Sequence, residues 1–451
     1  MSVEAKKDHI EEIKTLLERL DHDSLRQLVA EMHASDIGKV LSELEDEEAV
    51  ELFKLLTPEA ASEVLLEIDE RLRKTLIAAI TPDKLIAVVD EMETDDAADV
   101  ISELPIEDAK QVLNGIGKED SLAVQKLLVY PEDTAGGKMQ AELVSVSEEA
   151  TVEETIEAVR RRSKDIEQIA NVFVVDAFNR LTGVVSLDKL ILAGPDVKIK
   201  TIAAEPIKVR TDVDQEEVAK LFRQYDLVAM PVVDYDGRLV GRITVDDVVD
   251  VIEEEIFEDF YRVAGLNLEE RALDPATRSI WMRAPWLLIN LATAFLAASV
   301  VKVFEGTIEK LVILAVLMPI VAGMGGNAAT QTITVVVRGL ALGELSLKNA
   351  RWVLFKEATV GLANGFLTGL VATLVSYLLG ANIMVGVLLF LAMTANLFIA
   401  GLSGAFIPIV LKWFKVDPAI SATVFVTTCT DIGGFFSFLG LATVFMRMGL
   451  L

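Results

Sequence analysis

The chain has 451 residues, with 70 Asp/Glu against 42 Lys/Arg and a formal net charge of −28, and the charge is divided unevenly: the 166 residues from Trp286 onward hold nine Lys/Arg and six Asp/Glu, the first 285 hold 33 and 64. So acidic a first part repels nucleic acid and attracts cations. One cysteine, Cys429, and three histidines, His9, His22 and His33, build neither a disulfide framework nor a Cys/His zinc site, so any metal must be held by oxygen, as hard cations such as Mg²⁺ or Ca²⁺ are.

Residues 1–138 read as short amphipathic helices. Turn punctuation recurs at Thr57-Pro58, Thr81-Pro82 and Leu104-Pro105, 24 and then 23 residues apart. Each unit pairs an apolar stripe such as Val64, Leu65 and Ile68 with acidic outer positions, the pattern of stacked helix pairs in a solenoid. The first 25 residues are charged and carry no apolar signal-peptide core, so this part is expected in the cytoplasm.

The period changes over residues 139–252. Val-Phe-Val-Val-Asp (172–176) matches Met-Pro-Val-Val-Asp (230–234) at an offset of 58, and Asn179-Arg-Leu-Thr-Gly183 matches Gly237-Arg-Leu-Val-Gly241. Each copy, 139–200 and 201–252, reads helix, apolar strand, turn, strand, helix. The repeat, closing each time in Gly-x-x-Ser/Thr (Gly183 to Ser186, Gly241 to Thr244), resembles a tandem pair of α+β cystathionine-β-synthase-type (CBS) regulatory modules.

From Asp246 a long polar helix is expected to run to about Leu273, making residues 253–283 a connecting element ahead of an all-α membrane domain at 284–451. Five apolar spans follow, at about 286–303, 311–337, 358–379, 383–411 and 419–445. The shortest measures about 27 Å at 1.5 Å per residue, against a bilayer core of roughly 30 Å. Basic residues before the first span, between the second and third and between the fourth and fifth outnumber those on the other side. The positive-inside rule therefore puts the acidic part in the cytoplasm and the C-terminus outside a cell membrane.

Three places carry chemistry. Asp431 lies mid-span in Thr427-Thr-Cys-Thr-Asp-Ile-Gly-Gly434, with no Lys or Arg in the middle of any span to pair with it. A carboxylate there costs roughly 2.5–3.5 kcal/mol on the lenient insertion scale and marks a substrate or ion pathway. In the second span, Pro319 and Gly323-Met-Gly-Gly-Asn-Ala-Ala-Thr-Gln331 suggest interrupted helix, whose carbonyls, with Asn327 and Gln331, would face a hydrated ion. Gly361, Gly365 and Gly369 form a double GxxxG that reads as a packing face, and Asn364 and Asn396 are each explained by a helix-to-helix hydrogen bond. The third place is acidic: Asp90, Glu91, Asp95, Asp96 and Asp99 in the helical repeat, and eight carboxylates from Asp246 to Asp259 on the connecting helix. Like charges at i, i+3 and i+4 repel, so the two groups are expected to bind divalent ions that join domains.

With its acidic helical repeat, CBS pair, connecting helix and five spans bearing Pro319, Gly325-Gly326-Asn327, Gln331 and Asp431, nearly the whole chain resembles the MgtE family of magnesium channels. The resemblance implies a homodimer whose pore, with Asp431, Thr427, Asn327, Gly325, Gly326 and Gln331, passes hydrated Mg²⁺ between two membrane domains. It also implies that cytosolic Mg²⁺ closes the pore by docking the acidic repeat against the CBS pair and the connecting, or plug, helix. By motif position the sensor ligands are Glu91 (an aspartate in the family pattern), Asp95, Gly136, Asp214, Glu216, Asp226, Asp247, Asp250, Glu255, Glu258 and Asp259, with Asp417 near the membrane face. Position 423 is Thr where the family pattern has Asn. Family CBS modules hold ATP through an Asp three residues after the Ser or Thr; here the second keeps it as Asp247 and the first has Lys189. A secondary transporter exchanging Mg²⁺ for Na⁺ or H⁺ would use the same residues. A CBS-regulated anion channel would need positive charge at the pore. Enzymatic function is not expected, because the sequence has no P-loop and no nucleophile with a base.

Overall fold

The computed structural model describes residues 3–19, 21–163, 166, 168–268, 270–272, 274–418 and 422–451, of which 3–9, 259 and 422 by backbone only. The chain divides into two compact units, Met1–Ile252 and Glu253–Leu451.

The first unit begins with ten short helices, from Val3–Glu18 to Lys118–Leu127. The punctuation read from the sequence starts helices: Thr57 and Thr81 are N-caps whose hydroxyls accept from Ala60 N and Lys84 N at 3.3 Å, with Pro58 and Pro82 in the first turn. Such a cap contributes about 1 kcal/mol, and proline there sacrifices no helical donor. The stripes pair off into a core holding Leu25, Leu41, Phe53, Leu65 and Leu76, all wholly buried. A second core is shared: Val124 and Leu127 of the last repeat cluster with Phe222, Met230 and Ile243 of the second CBS module.

Each of the two repeated modules carries a three-stranded sheet. Strands β1 (Ser145–Ser147), β2 (Asn171–Val175) and β3 (Leu181–Ser186) lie in that order, as do β4 (Val209–Arg210), β5 (Ala229–Val233) and β6 (Leu239–Thr244). In both, the first strand runs parallel to the second and the second antiparallel to the third. The duplication extends to backbone geometry, with Asn179 at φ 61° and Gly237 at φ 79° occupying the same turn position. The turns join the modules: Leu181 N donates to Gly237 O at 3.1 Å, and Leu239 N to Asn179 O at 2.9 Å. Strands β1 and β4, three and two residues long, were too short to show a period.

The helix that opens at Val245 stops at Ala264 instead of continuing to Leu273. Gly265 stands at φ 71°, its N–H bonds Arg262 O at 3.0 Å and Leu266 N bonds Tyr261 O at 2.9 Å, the pair of bonds that ends a helix with a left-handed residue. Pro275 then caps the first of five membrane-length helices: Ala276–Val303, Ile313–Ala341, Ala350–Leu378, Ile383–Trp413 and Ala422–Arg447. Residues 419–421, at the expected start of the fifth span, lie outside the described residues.

The second helix corrects the expected interruption, since it is continuous from Ile313 to Ala341 through Pro319 and every glycine. One proline removes one backbone donor, and an unbroken helix satisfies every other group internally, as hydrocarbon demands. Gly361, Gly365 and Gly369 do form a packing face. A Cβ on them would lie 2.4 Å from Leu397 O, 2.6 Å from Thr394 Cα and 3.0 Å from Phe390 O, so the third and fourth helices touch backbone to backbone. Leu314, Val321, Leu388, Ala392 and Phe438 form a core among the second, fourth and fifth helices. The first helix buries only Ala297.

Candidate ion pathway and acidic site

Thr423, Thr427 and Asp431 recur every fourth residue on the last helix, which puts them on one face. With Thr428 they line a cavity of about 420 Å³ whose opposite wall carries Trp286, Asn290 and Thr293 of the first helix. Asp431 is half-buried there. The hydroxyls of Thr427 and Thr428 donate to Thr423 O and Val424 O at 2.7 Å. Their hydrogens are spent inside the helix, leaving oxygen lone pairs as acceptors. The rest of the lining is largely apolar, with Arg262 and Arg283 beside it, so the carboxylate, the threonine hydroxyls and the Asn290 amide are its oxygen groups toward a hydrated hard cation.

The end of the connecting helix forms one end of this cavity. Arg262, whose residues 263–266 also line it, ion-pairs with both Glu258, one turn back, and Asp417 ahead of the last helix. Thr423 Oγ1 donates to Val263 O at 2.7 Å, a second tie between the same two elements. A second arginine of the lining, Arg283, bonds the buried Glu270 through Nε at 2.6 Å. Arg262 was absent from the sequence reading; its i, i+4 spacing from Glu258 was the available signal.

The other residues expected at the pore are distributed differently. Asn327 and Gln331 are exposed and Gly326 half-buried on the second helix, outside the cavity lining, whereas Gly325 is buried against Asn396 of the fourth helix. With Thr330 and Thr334, Asn327 and Gln331 make an exposed polar stripe along a membrane-length helix.

In the first unit the structure gathers one of the expected acidic groups. Glu93, Asp95, Asp96 and Asp247 interact electrostatically: burial, followed by the charge of Asp247, raises Asp95 well above the usual carboxylate range and Asp96 to about 7. Burial and the Glu142 charge bring Glu93 to about 7 as well. Asp247 is raised, by burial first, although Thr244 Oγ1 donates to it at 2.6 Å. The buried Arg242 guanidinium touches this group through an intermediary, with Nε donating to Gln140 Oε1 at 2.8 Å and Gln140 Nε2 to Glu93 Oε2 at 2.9 Å. Glu93 and Glu142 were missed because the contacts that place them, Gln140 and Thr94, are 47 and 48 residues away in the chain.

Gly136 and Asp214 also meet, with Gly136 N donating to Thr211 O at 2.9 Å beside the Thr134–Asp214 bridge. There Asp214 caps a helix by accepting from Glu216 N at 2.8 Å, and Glu216 pairs with Lys220. Glu91, Asp226 and Asp250 are exposed and Glu255 half-buried; the Asp259 side chain lies outside the described residues. Among the described residues no three Asp, Glu, His or Cys side chains converge as a metal cage. Burial and like charge disfavour ionisation across the Asp95–Asp247 group, a strain that a divalent cation would offset, and Mg²⁺, which keeps most of its waters, needs only one or two carboxylates.

Comparison with known proteins agrees with this layout. Residues 32–133 match the MgtE intracellular N domain, 136–196 and 199–254 the CBS domain, and 318–441 the family described as divalent cation transporter. The magnesium transporter MgtE of Thermus thermophilus is 34% identical over 441 residues, covering 96% of this chain and 98% of that one. This chain belongs to the MgtE family of magnesium transporters. The Enterococcus faecalis and Bacillus subtilis MgtE proteins are 33% and 31% identical over 97% and 94% of this chain, and 98% and 94% of their own. Two solved structures cover the soluble half. The soluble part of a magnesium transporter is 31% identical (TM-score 0.51, 55% of this chain and 99% of that one). The cytosolic domain of the Mg²⁺ channel MgtE in complex with ATP is 36% identical (TM-score 0.51, 54% and 99%). The order expected from sequence, helical repeat, CBS pair and five-helix membrane domain, is the order of the MgtE family.

Proposed function

We propose that this chain is a Mg²⁺ channel that works as a homodimer in the cell membrane and is closed by cytosolic Mg²⁺. The observation that carries the reading is Asp431 in its cavity of threonine and asparagine oxygens, within a family named for magnesium transport. Mg²⁺ dehydrates reluctantly, so Asp431 need only touch the ion's hydration shell, concentrating cations without trapping them. The outward polar stripe from Asn327 to Thr334 supports dimerisation, because polar side chains on a membrane helix face protein or water in preference to lipid.

Closure follows from the acidic group. Glu93, Asp95 and Asp96 belong to the helical repeat and Asp247 to the end of the CBS pair, and burial leaves their charges under-compensated. A divalent cation there relieves the repulsion and favours the docked arrangement. Asp247 beside Thr244 also supports ATP binding at the second CBS module, in keeping with the ATP complex of the solved relative.

Liposome flux tests the transport reading. Wild-type protein should pass Mg²⁺ with single-channel currents that do not saturate; saturating, Na⁺- or H⁺-coupled flux would replace the channel by an exchanger. A reporter fused after Leu451 should be extracytoplasmic, and a cytoplasmic signal would remove one of the five spans.

A further inference from the structure

Asn396 is wholly buried in the middle of the fourth membrane helix. An amide is a costly filling for such a place, where a leucine, with the same number of side-chain heavy atoms, would bring no polar ones. What it does there is specific. Nδ2 donates to Val321 O of the second helix at 2.8 Å. The partner is a carbonyl, so only the NH₂ end can face it, which fixes the orientation of the amide. Oδ1 is left buried with no hydrogen-bond partner.

The same amide is also the stop for two glycines on two helices. A Cβ on Gly325 would lie 2.3 Å from Nδ2, and a Cβ on Gly434 would lie 2.7 Å from it. One side chain therefore bonds the second helix and sets how closely the second and last helices approach the fourth. Gly434 is three residues past Asp431, and Gly325 precedes Gly326-Asn327, so the three-helix contact lies beside both polar faces of the membrane domain.

We infer that Asn396 is a positioning residue for the ion pathway. Resting on the transport reading above, this assigns it the fixed spacing between the polar stripe of the second helix and the Asp431 face of the last, and hence the discrimination among divalent cations of different size. It touches no ion itself.

The test uses the full chain. In liposomes, Asn396→Leu should lower Mg²⁺ flux severalfold and raise the Ca²⁺/Mg²⁺ flux ratio, while the protein elutes from size exclusion as the wild type does. Gly434→Ala, which drives a methyl into the amide, should give the same change of ratio even where Asn396→Leu fails to fold. Spin labels at the exposed positions Val335 and Phe436, introduced as cysteines in a Cys429→Ser background and diluted with unlabelled protein, report the helix spacing independently. The distance should shift in Asn396→Leu. An unchanged distance, or a shifted distance with the wild-type flux ratio, overturns the assignment. If the wild type itself carries no Mg²⁺, the transport reading fails and the distance alone decides whether Asn396 sets the spacing.

Discussion

In the soluble half, Glu93, Asp95, Asp96 and Asp247 crowd together, and the nearest guanidinium, Arg242, reaches them through Gln140. In the membrane half, Glu258 and Asp417 share Arg262, Glu270 holds Arg283, and Asp431 lines a cavity with no cationic partner among the described residues. The difference is one of stored repulsion. Arg283 pulls the Glu270 carboxyl below its usual range, whereas burial and like charge push the Asp95 group above it. The Glu270–Arg283 arrangement is already neutralised, which suits a latch; the Asp95 group would gain from a divalent cation, which is what the proposed sensor requires.

The comparison breaks most visibly at Asp431. Replacing it with Asn should cut Mg²⁺ flux in liposomes at least tenfold in a folded protein, a transition-state cost of about 1.4 kcal/mol or more; wild-type flux would remove it from the pathway. Neutralising the soluble group should come next. Moving a gate from 1:99 to 99:1 takes about 5.5 kcal/mol, and one site at tenfold its Kd supplies about 1.4, so the proposed closure would need roughly four sites and single changes should act modestly. The combination Glu93→Gln, Asp95→Asn, Asp96→Asn and Asp247→Asn should conduct at Mg²⁺ levels that shut the wild type, and should lose Mg²⁺-dependent protection from limited proteolysis near Lys138. Retained protection would place the sensor elsewhere.

A smaller effect is expected from pH. An acid whose pKa is raised on folding destabilises the folded state once it must ionise. The arrangement is therefore most stable below the ordinary carboxylate range and weakens as pH rises toward 7, where Glu93 and Asp96 titrate. In chelator, scanning calorimetry of the full chain should show the soluble-half transition falling by a few degrees between pH 5 and pH 8, and Mg²⁺ should restore it. A transition that rises over that range contradicts the stored repulsion. The smallest effect concerns the latch: Arg262→Ala leaves Glu258 facing Asp417, so Mg²⁺ should close the channel at a concentration about fivefold lower, the scale of one partly exposed ion pair. A higher closing concentration would mean that the guanidinium itself helps closure.

The sequence was most legible where chemistry is local. Thr57-Pro58 and Thr81-Pro82 mark helix starts because a hydroxyl cap and a proline act within one turn, and the 58-residue repeat was readable because β2–β3 and β5–β6 are duplicated to the residue. The GxxxG face was likewise a single-helix pattern. What could not be read depends on who stands opposite. Gly325 looked like part of a pore, yet its missing Cβ is required by Asn396, 71 residues on; Glu93 looked like one surface acid among many until Gln140 and Arg242 were placed beside it. Of the glycines that suggested a broken second helix, Gly325 is the one that lets an unbroken helix pack, while Gly323 and Gly326 face open space.

The Gly265 stop separates two routes that the chain would otherwise merge. Covalently, the connecting helix leads to the first membrane helix, but it ends at Ala264 ahead of Gly265 and a new helix starts after Pro275, so no continuous helix joins the two. The ties run sideways instead, from Arg262 to Asp417 and from Thr423 to the Val263 carbonyl. A displacement of the connecting helix would therefore be delivered to the base of the helix that carries Asp431, two turns below it.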